Sequence, residues 1–294
     1  LVKYAKQNGV RIFRKTAQSL WIENGKLLGV ITGGGERIAG ERVVLATGGL
    51  SYPATGSTGD GYSLAAQAGH TVIPPRPSLI PIETRESWCT QVQGLSLRNV
   101  TLTLVKTGMK KPVYFEMGEL LCTHFGVSGP LVLSASAHMR ADIADYSLFI
   151  DLKPALDEKT LDARILRDFA ARANKDIQNA LGDLLPASLI PVILRLADIP
   201  AQTKAREITR AQRHALLENM KRLALTPERL RPIEEAVVTA GGVDVSQVNP
   251  KTMESKLLPG LFFAGEVLDV DAYTGGFNLQ IAFSTGRAAG AGIS

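Results

Sequence analysis

The sequence predicts an α/β protein, α+β overall, with about two domains. Its 294 residues are 45% hydrophobic and 21% charged, a composition typical of a globular chain with a large core and not of a disordered one. Short β-branched segments that end in glycine-rich turns occur towards both termini, as is typical of strands. A proline cluster and a long helical stretch separate these two regions.

The amino-terminal region is predicted to form a helix, a three-stranded β meander and a buried strand. Helical character extends over residues 1–8, and Gly9 is suited to end that helix. Asn24-Gly25 is a strong signal for a two-residue hairpin, and three glycines from Gly33 predict the next turn. The predicted strands are residues 10–13, 18–22, 27–32 and the buried strand 42–46, and a short helix follows over residues 62–68.

A stiff connector and a mixed middle region are predicted next. Four prolines between Pro74 and Pro81 indicate a domain boundary. Alternating apolar residues predict strands over 95–105 and 148–152, whereas apolar residues at every fourth position predict a helix over 160–173. Thr209 is a candidate amino-terminal cap for another helix.

The positive charge is concentrated in one stretch. Nine basic and four acidic residues lie between Arg195 and Arg231, so this stretch alone holds the net charge of +5. Two interpretations are open: a patch for nucleic acid or a phosphorylated ligand, and a solvated surface whose arginine stems cover apolar side chains. We favour the second and expect no nucleic-acid partner, because few aromatic residues are interleaved for base stacking.

The cysteine count and the hydropathy pattern indicate a reducing compartment. Two cysteines, Cys89 and Cys122, are too few for a disulfide scaffold, and nothing in the sequence places them as a pair. No apolar run is long enough to cross a bilayer, and the first residues lack the apolar core of a signal peptide. We therefore expect a cytoplasmic protein without a membrane partner. The four dispersed histidines predict no metal site, and the oligomeric state is not indicated.

Two glycine-rich motifs are the candidates for ligand binding. The first is VVLATGG at residues 43–49, a predicted strand that ends in glycines. Glycines in this position admit a ligand or another backbone where a Cβ would clash. Such corners bind nucleotides at the carboxyl edge of α/β sheets, and they also serve simply as tight turns.

The second motif lies within residues 259–290. It combines a predicted buried strand over 261–264, the pair Gly265-Glu266, an acidic loop, and a helix that Gly275-Gly276 opens. A helix amino terminus offers free N–H groups and a positive dipole end, which suit a pyrophosphate. Together with the first motif, this succession predicts a two-part dinucleotide site.

Two features accompany the second motif. Asp269 and Asp271 precede the helix, where they either accept hydrogen bonds from ribityl or ribose hydroxyls or are simply solvated. The helix is predicted over residues 284–293, and its small residues predict close packing on the sheet.

Four strings carry a specific family resemblance. They are residues 46–70 (ATGGLSYPATGSTGDGYSLAAQAGH), 77–83 (PSLIPIE), 118–130 (GELLCTHFGVSGP) and 238–286, which begins VTAGGVDVSQVNP. On these strings the chain resembles the YhiN-like flavoprotein family, which includes BaiN-type reductases and an aminoacetone oxidase. The resemblance implies a glutathione-reductase-like FAD domain with an inserted β-barrel-like domain that carries a helical subdomain.

The resemblance also implies that the FAD domain is incomplete. Family members begin with a strand and a GxGxxG turn that holds the FAD pyrophosphate, and no GxGxxG occurs in residues 1–60. We therefore expect this chain to be a fragment that binds FAD weakly or not at all. The expected segments are 1–75 and 243–294 for the FAD domain, 76–156 and 226–242 for the β-barrel-like domain, and 157–225 for the helical insertion.

Eleven residues are assigned to FAD by these motifs and by the resemblance. The adenine side is expected to contact Ala17, Thr47 and Gly48, and Ala46 precedes Thr47 in the first motif. The ribityl chain and pyrophosphate are expected near Gly265, Glu266 and Asp271. The isoalloxazine edge is expected above Gly275, Gly276, Phe277 and Asn278. The family normally has phenylalanine at Cys122, which implies a core substitution here.

His124 and Tyr273 are the candidate catalytic residues. His124 is a candidate general acid, because the pKa of an unperturbed imidazole lies near neutrality. We favour the alternative, a structural histidine bonded to a loop carbonyl. Tyr273 either donates to the substrate or stacks in its loop. Of the other histidines, His70 is expected to be structural, and His138 and His214 are expected on exposed helical faces.

These residues predict an FAD-dependent oxidoreductase. The flavin would carry the hydride chemistry on a small-molecule substrate, with NAD(P)H or oxygen as the redox partner. The rival interpretation is a nucleic-acid-associated flavoprotein or binding module that uses the basic stretch 195–231.

Overall fold

The computed structural model describes residues 2–140 and 142–293. It divides into two compact units: the first comprises Leu1–Arg76 and Val238–Ser294, and the second Pro77–Val237. Leu1, where the predicted first helix begins, lies outside the described residues. Over the described ranges, no helix is both long and apolar enough to cross a membrane.

The two units contain the following strands and helices. The strands are β1 Ala17–Glu23, β2 Lys26–Thr32, β3 Arg37–Ala39, β4 Val43–Leu45, β5 Val72–Ser78, β6 Ile82–Thr84, β7 Ser96–Lys106, β8 Tyr114–Cys122, β9 Gly126–Ser128, β10 Tyr146–Asp151, β11 Leu223–Leu225, β12 Pro227–Leu230, β13 Val238–Val243 and β14 Leu261–Phe263. The helices are α1 Val2–Gln7, α2 Asp60–Gln67, α3 Trp88–Gln91, α4 Pro130–Ser136, α5 Glu158–Ala171, α6 Ile177–Ala180, α7 Ile190–Leu196, α8 Arg210–Lys221 and α9 Phe277–Gly292.

An antiparallel meander of β1, β2 and β3 opens the first unit. Glu23 pairs with Lys26, which confirms the two-residue hairpin at Asn24-Gly25. The predicted strand over residues 10–13 is wrong, because that segment forms no strand and leaves Phe13 53% exposed. Instead, the glycine turn after β2 closes with a hydrogen bond from Thr32 N to Glu36 O of 2.9 Å, and this turn makes β3 the third strand.

Strands β4 and β14 form a parallel pair at the centre of the first unit. Phe262 and Phe263 are fully buried there, whereas Val44 is 37% exposed, so the expectation of a fully buried β4 is wrong. A second pair joins β13 to β5. Of the described residues of α9, only Ala289 is buried, so close packing of its whole small-residue face is also wrong.

A seven-stranded sheet in the order β11-β10-β7-β8-β9-β6-β12 forms the second unit. Its neighbouring strands pair antiparallel, and one large apolar cluster joins it to helices α5, α7 and α8. The Thr209 side chain caps α8 by accepting from Gln212 N, which confirms the predicted cap. The β-barrel-like description of this unit stays a prediction.

Two strands lie elsewhere than the sequence placed them. β11 falls inside the stretch predicted as a helical insertion, but it pairs with β10 in the large sheet. β13 was expected in the return segment of the β-barrel-like domain, but it belongs to the first unit. Both strands are short and apolar, and pairing partners that are distant in the chain decide their place.

Candidate functional site

The carboxyl ends of β4 and β14 bring Ala46-Thr47-Gly48-Gly49, the first glycine corner, next to Gly265-Glu266, the second. Leu45 pairs in parallel register with Phe263, so the residues that follow each strand leave the sheet at the same edge. Gly265 N donates to Thr285 Oγ1 at 2.9 Å, which ties the start of this corner to α9. The carboxyl edge of parallel strands is where α/β folds bind nucleotides.

A polar cluster locks these corners together. Glu266 Oε1 accepts from Thr239 N at 2.6 Å and from Ser51 Oγ at 2.9 Å. Thr239 Oγ1 accepts in turn from the N–H groups of Leu50 and Ser51 at 2.8 and 3.0 Å. Glu266 therefore holds the loop after β4, and contact between Glu266 and a cofactor stays a prediction. Sequence reasoning missed Ser51 and Thr239, although both lie in the family strings.

Gly49 is required by this cluster. A Cβ at Gly49 would lie 2.4 Å from Thr239 Oγ1 and 3.0 Å from Glu266 Oε1. Distances this short require the polar cluster to move apart, so the second glycine of the ATGG motif serves packing within the protein.

Two buried hydroxyl groups beside the first corner have no hydrogen-bond partner among the described residues: Thr47 Oγ1 and Tyr62 OH. Burial, with the charges of Glu266 and Asp269, raises the pKa of Tyr62 to about 12. Tyr62 therefore stays protonated at neutral pH and is available as a donor. Buried hydroxyls without partners are costly, so a water molecule or a ligand is expected to satisfy them. Only the GDGY string signalled Tyr62 in the sequence.

The loop before α9 is fixed by Asn278. Its Oδ1 accepts from Ala272 N at 2.9 Å, and its Nδ2 donates to Ala272 O at 2.7 Å. Gly275 and Gly276 have φ values of 112° and 89°, in the region that favours glycine. Because Gly276 caps α9 without a side chain, it leaves the first N–H groups of α9 without a side-chain acceptor. Phe277, at the start of α9, is 59% exposed.

The other candidate site residues of the first unit are distributed as follows. Asp269 Oδ1 accepts from Gly241 N at 3.1 Å, which gives this carboxylate a structural role in place of plain solvation. Asp271 is half-buried, Tyr273 is 38% exposed, and both have interaction partners within the structure. Ala46 is exposed at the end of β4, whereas Ala17 lies in the meander sheet, paired with Thr32.

His124 belongs to the second unit, whereas Tyr273 belongs to the first. His124 is exposed in the turn between β8 and β9, and its ring meets Phe125 edge-on at 4.9 Å. The Arg231 guanidinium lies 4.8 Å from the Phe125 ring centroid and donates to Glu83 at 2.8 Å. Glu83 and Arg231 therefore hold the turn that carries His124, whose catalytic role stays a prediction.

The remaining histidines differ in environment. His70 is buried, its Nε2 lies 2.7 Å from Ser255 Oγ, and burial lowers its pKa, as expected for a structural histidine. His214 is exposed on α8, as predicted. His138 is not on an exposed helical face: it lies half-buried in the turn after α4, with its ring 5.6 Å from Tyr114. No group of three or more potential metal ligands occurs within residues 2–140 and 142–293.

Cys89 and Cys122 are neighbours, which the sequence did not indicate. Both thiols are free and buried in the core of the second unit. A hydrogen bond to Cys122, together with burial, raises the pKa of the Cys89 thiol. The same hydrogen bond lowers the pKa of the Cys122 thiol. Both side chains are enclosed by the core, which agrees with a core role for both residues.

Most of the basic stretch is neutralised within the second unit. Six of its nine cations have carboxylate partners within 4 Å: Lys204, Arg206, Arg213, Lys221, Arg229 and Arg231. Of the rest, Arg195 donates to Gln91, and Arg222 lies over the Phe149 ring. This distribution favours a solvated surface over a continuous anion-binding patch.

The parallel strand pair, its glycine corners and the helix that follows define a Rossmann-type unit. The chain belongs to the HI0933-like Rossmann-domain family, whose model matches residues 1–292.

Three curated relatives are similar to most of this chain. A 3-dehydro-bile acid delta(4,6)-reductase of Clostridium scindens is 31% identical over 268 residues, covering 89% of this chain and 64% of the relative. A ribosomal RNA dihydrouridine synthase of Escherichia coli is 33% identical, covering 85% of this chain and 60% of the relative. The protein of that name from Haemophilus influenzae is 35% identical, covering 86% and 60%. The chain therefore spans about three fifths of the length of these relatives.

Proposed function

We propose that this chain is part of an FAD-dependent oxidoreductase and that the dinucleotide lies across the two glycine corners of the first unit. The observation that carries the proposal is the parallel pairing of β4 with β14, which puts ATGG and Gly265-Glu266 at one sheet edge. The family to which the chain belongs and the reductase name of one relative agree with it.

The residues present fit such a cofactor. Thr47 Oγ1 and Tyr62 OH are buried and unpartnered, so they would donate to sugar hydroxyls or phosphate oxygens. Gly275 and Gly276 would let the α9 backbone approach an electron-rich ring edge, where the helix dipole favours negative charge. When bound, the flavin supplies hydride transfer, while the protein supplies orientation and a proton donor.

We propose reduction of a carbon–carbon double bond conjugated to a carbonyl as the reaction class. The names of two relatives agree with this class: one is a reductase of a 3-dehydro-bile acid, and the other forms dihydrouridine. The chain's own candidates for the accompanying proton are Tyr273 in the first unit and His124 in the second. NAD(P)H is the proposed reductant.

The second candidate function is action on RNA. It is favoured by the two relatives named as ribosomal RNA dihydrouridine synthases. Under this alternative the substrate is a uracil base within an RNA strand. It requires an RNA-binding surface built from cations that the ion pairs of the stretch 195–231 do not neutralise.

Equilibrium dialysis with FAD tests the proposed cofactor site. We expect weak but saturable binding, reduced about tenfold by the double variant Thr47→Val/Tyr62→Phe, because two hydrogen bonds are lost. Tyr114→Phe is the matched control, since Tyr114 lies in the second unit. Equal FAD binding by both variants would refute the proposed site.

A further inference from the structure

The outer face of the seven-stranded sheet carries an exposed row of apolar side chains. Thr103 pairs with Phe149 on one side and with Phe115 on the other, so the two rings flank it across three strands. Thr101 pairs in the same way with Met117. Phe115 and Met117 are each 67% exposed. Such rings and thioethers are large apolar surfaces that a monomer normally covers.

Several cations line a groove on this face. A groove of about 510 Å³ is lined by Phe115 and Phe149 together with Lys110, Lys111 and Arg222. Among the described residues, none of these three cations has a carboxylate partner within 4 Å. The Arg222 guanidinium lies 4.1 Å from the Phe149 ring centroid, so a flat cationic surface extends the aromatic one.

The acids of the groove do not cancel its charge. Asp151 and Glu158 also line it, but Asp151 is paired with Lys221 at 2.7 Å. The groove therefore keeps an excess of positive charge next to the exposed Phe115 ring and the half-buried Phe149 ring, whereas the basic stretch as a whole is largely neutralised. Lysines beside exposed aromatic rings are the combination that binds single-stranded nucleic acid, by phosphate contact and base stacking.

We propose that this outer sheet face binds single-stranded RNA, with a base stacked on Phe115 and phosphates held by Lys110 and Lys111. The choice of RNA rests on the RNA-directed form of the proposed function. The choice of this surface rests on its cations, unpaired among the described residues, and on the exposed Phe115 ring of the second unit. Thr103, between the two rings, would accept or donate a hydrogen bond at a base edge.

Fluorescence anisotropy with a labelled 12-nucleotide single-stranded RNA tests this proposal. We expect Phe115→Ala to weaken binding by about tenfold through lost stacking. Lys110→Ala/Lys111→Ala should lower the slope of log K against log salt by about 1.4, since each phosphate contact on a single strand contributes about 0.7. The matched controls, Leu166→Ala and Lys3→Ala/Lys6→Ala, should change neither quantity.

Three results would overturn the proposal. One is equal loss of binding in the control variants, and another is equal or tighter binding of duplex RNA or of single-stranded DNA. The third is a dimer in sedimentation velocity that Phe115→Ala dissolves, which would assign the face to a second copy of the chain. FAD dialysis of the same variants separates the two proposals, because substitutions on this face should leave FAD binding unchanged.

Discussion

The buried carboxylate of Glu83 is held by two arginines, Arg229 and Arg231. Burial acts to raise the pKa of Glu83, but hydrogen bonds from Arg229 and Arg231 outweigh it and hold the pKa below its usual range. The Glu83 side chain is 11% exposed, whereas that of Glu235, which also binds Arg231, is 44% exposed. Removing the buried carboxylate leaves Arg229 without its acidic partner and leaves the largely enclosed Arg231 with Glu235 alone.

Glu83→Gln should therefore lower the free energy of unfolding by about 2–4 kcal/mol, and Glu235→Gln by about 0–1 kcal/mol. Because the pKa of Glu83 is depressed in the folded protein, its contribution is present above the usual pKa and is lost as the pH falls below it. Urea denaturation at neutral pH measures both values. Equal losses in the two variants would show that burial does not strengthen this ion pair.

His70 gives the first unit a sensitivity to mild acid. Burial lowers the pKa of the folded imidazole below 6.5, so the unfolded chain binds a proton that the folded chain rejects. The free energy of unfolding should therefore fall as the pH drops from about 7.5 to 5.5, by at most about 1.4 kcal/mol per pH unit for this one proton. His70→Gln should flatten that fall, whereas His214→Gln, on an exposed face of α8, should not. An unchanged slope in His70→Gln would contradict this account.

At the scale of elements, the turn after β4 depends on the absence of a side chain at Gly49. Gly49→Ala should destabilise the protein by about 1–3 kcal/mol, because its Cβ would meet Thr239 Oγ1 at 2.4 Å. Gly33→Ala is the control, since no atom lies within 4 Å of the corresponding Cβ, and it should change stability by less than about 0.5 kcal/mol. Thermal unfolding compares the two. A Gly49→Ala protein as stable as Gly33→Ala would show that the Thr239 and Glu266 side chains can move away from the added Cβ without loss of stability.

Elements with local signals could be predicted from the sequence, and those set by distant partners could not. The Asn24-Gly25 hairpin and the Thr209 cap depend on residues within four positions of one another, and both are as predicted. Residues 10–13 have strand composition, but the chain uses β3 as the third strand. β6 pairs with β12 across more than 140 residues, a separation that periodicity does not reveal.

The candidate site divides in the same way. Its glycines could be found from the sequence, because they follow predicted strands or open a helix. The unpartnered hydroxyls of Thr47 and Tyr62 could not be found from the sequence, because the absence of a hydrogen-bond partner depends on the packing of segments that are distant in the chain. Nor could the neighbouring thiols of Cys89 and Cys122, which only the packing of the second unit brings into contact.

For the whole molecule, the proposed flavin site and the proposed RNA-binding face belong to different units. The first unit holds the residues assigned to the flavin nucleotide, and the second carries His124 and the outer sheet face. The exposed apolar residues of α9, Phe277, Leu279 and Phe283, lie in the same unit as the glycine corners.

An amide NMR titration of the isotope-labelled chain with FAD shows whether one nucleotide contacts both glycine-rich motifs, because it detects weak binding residue by residue. We expect shifts concentrated at Thr47–Ser51, at Gly265–Val267 and at Gly275–Leu279, with one shared dissociation constant for all three segments. Shifts in only one of these segments, or shifts that saturate at different FAD concentrations, would contradict a single nucleotide bound across both corners.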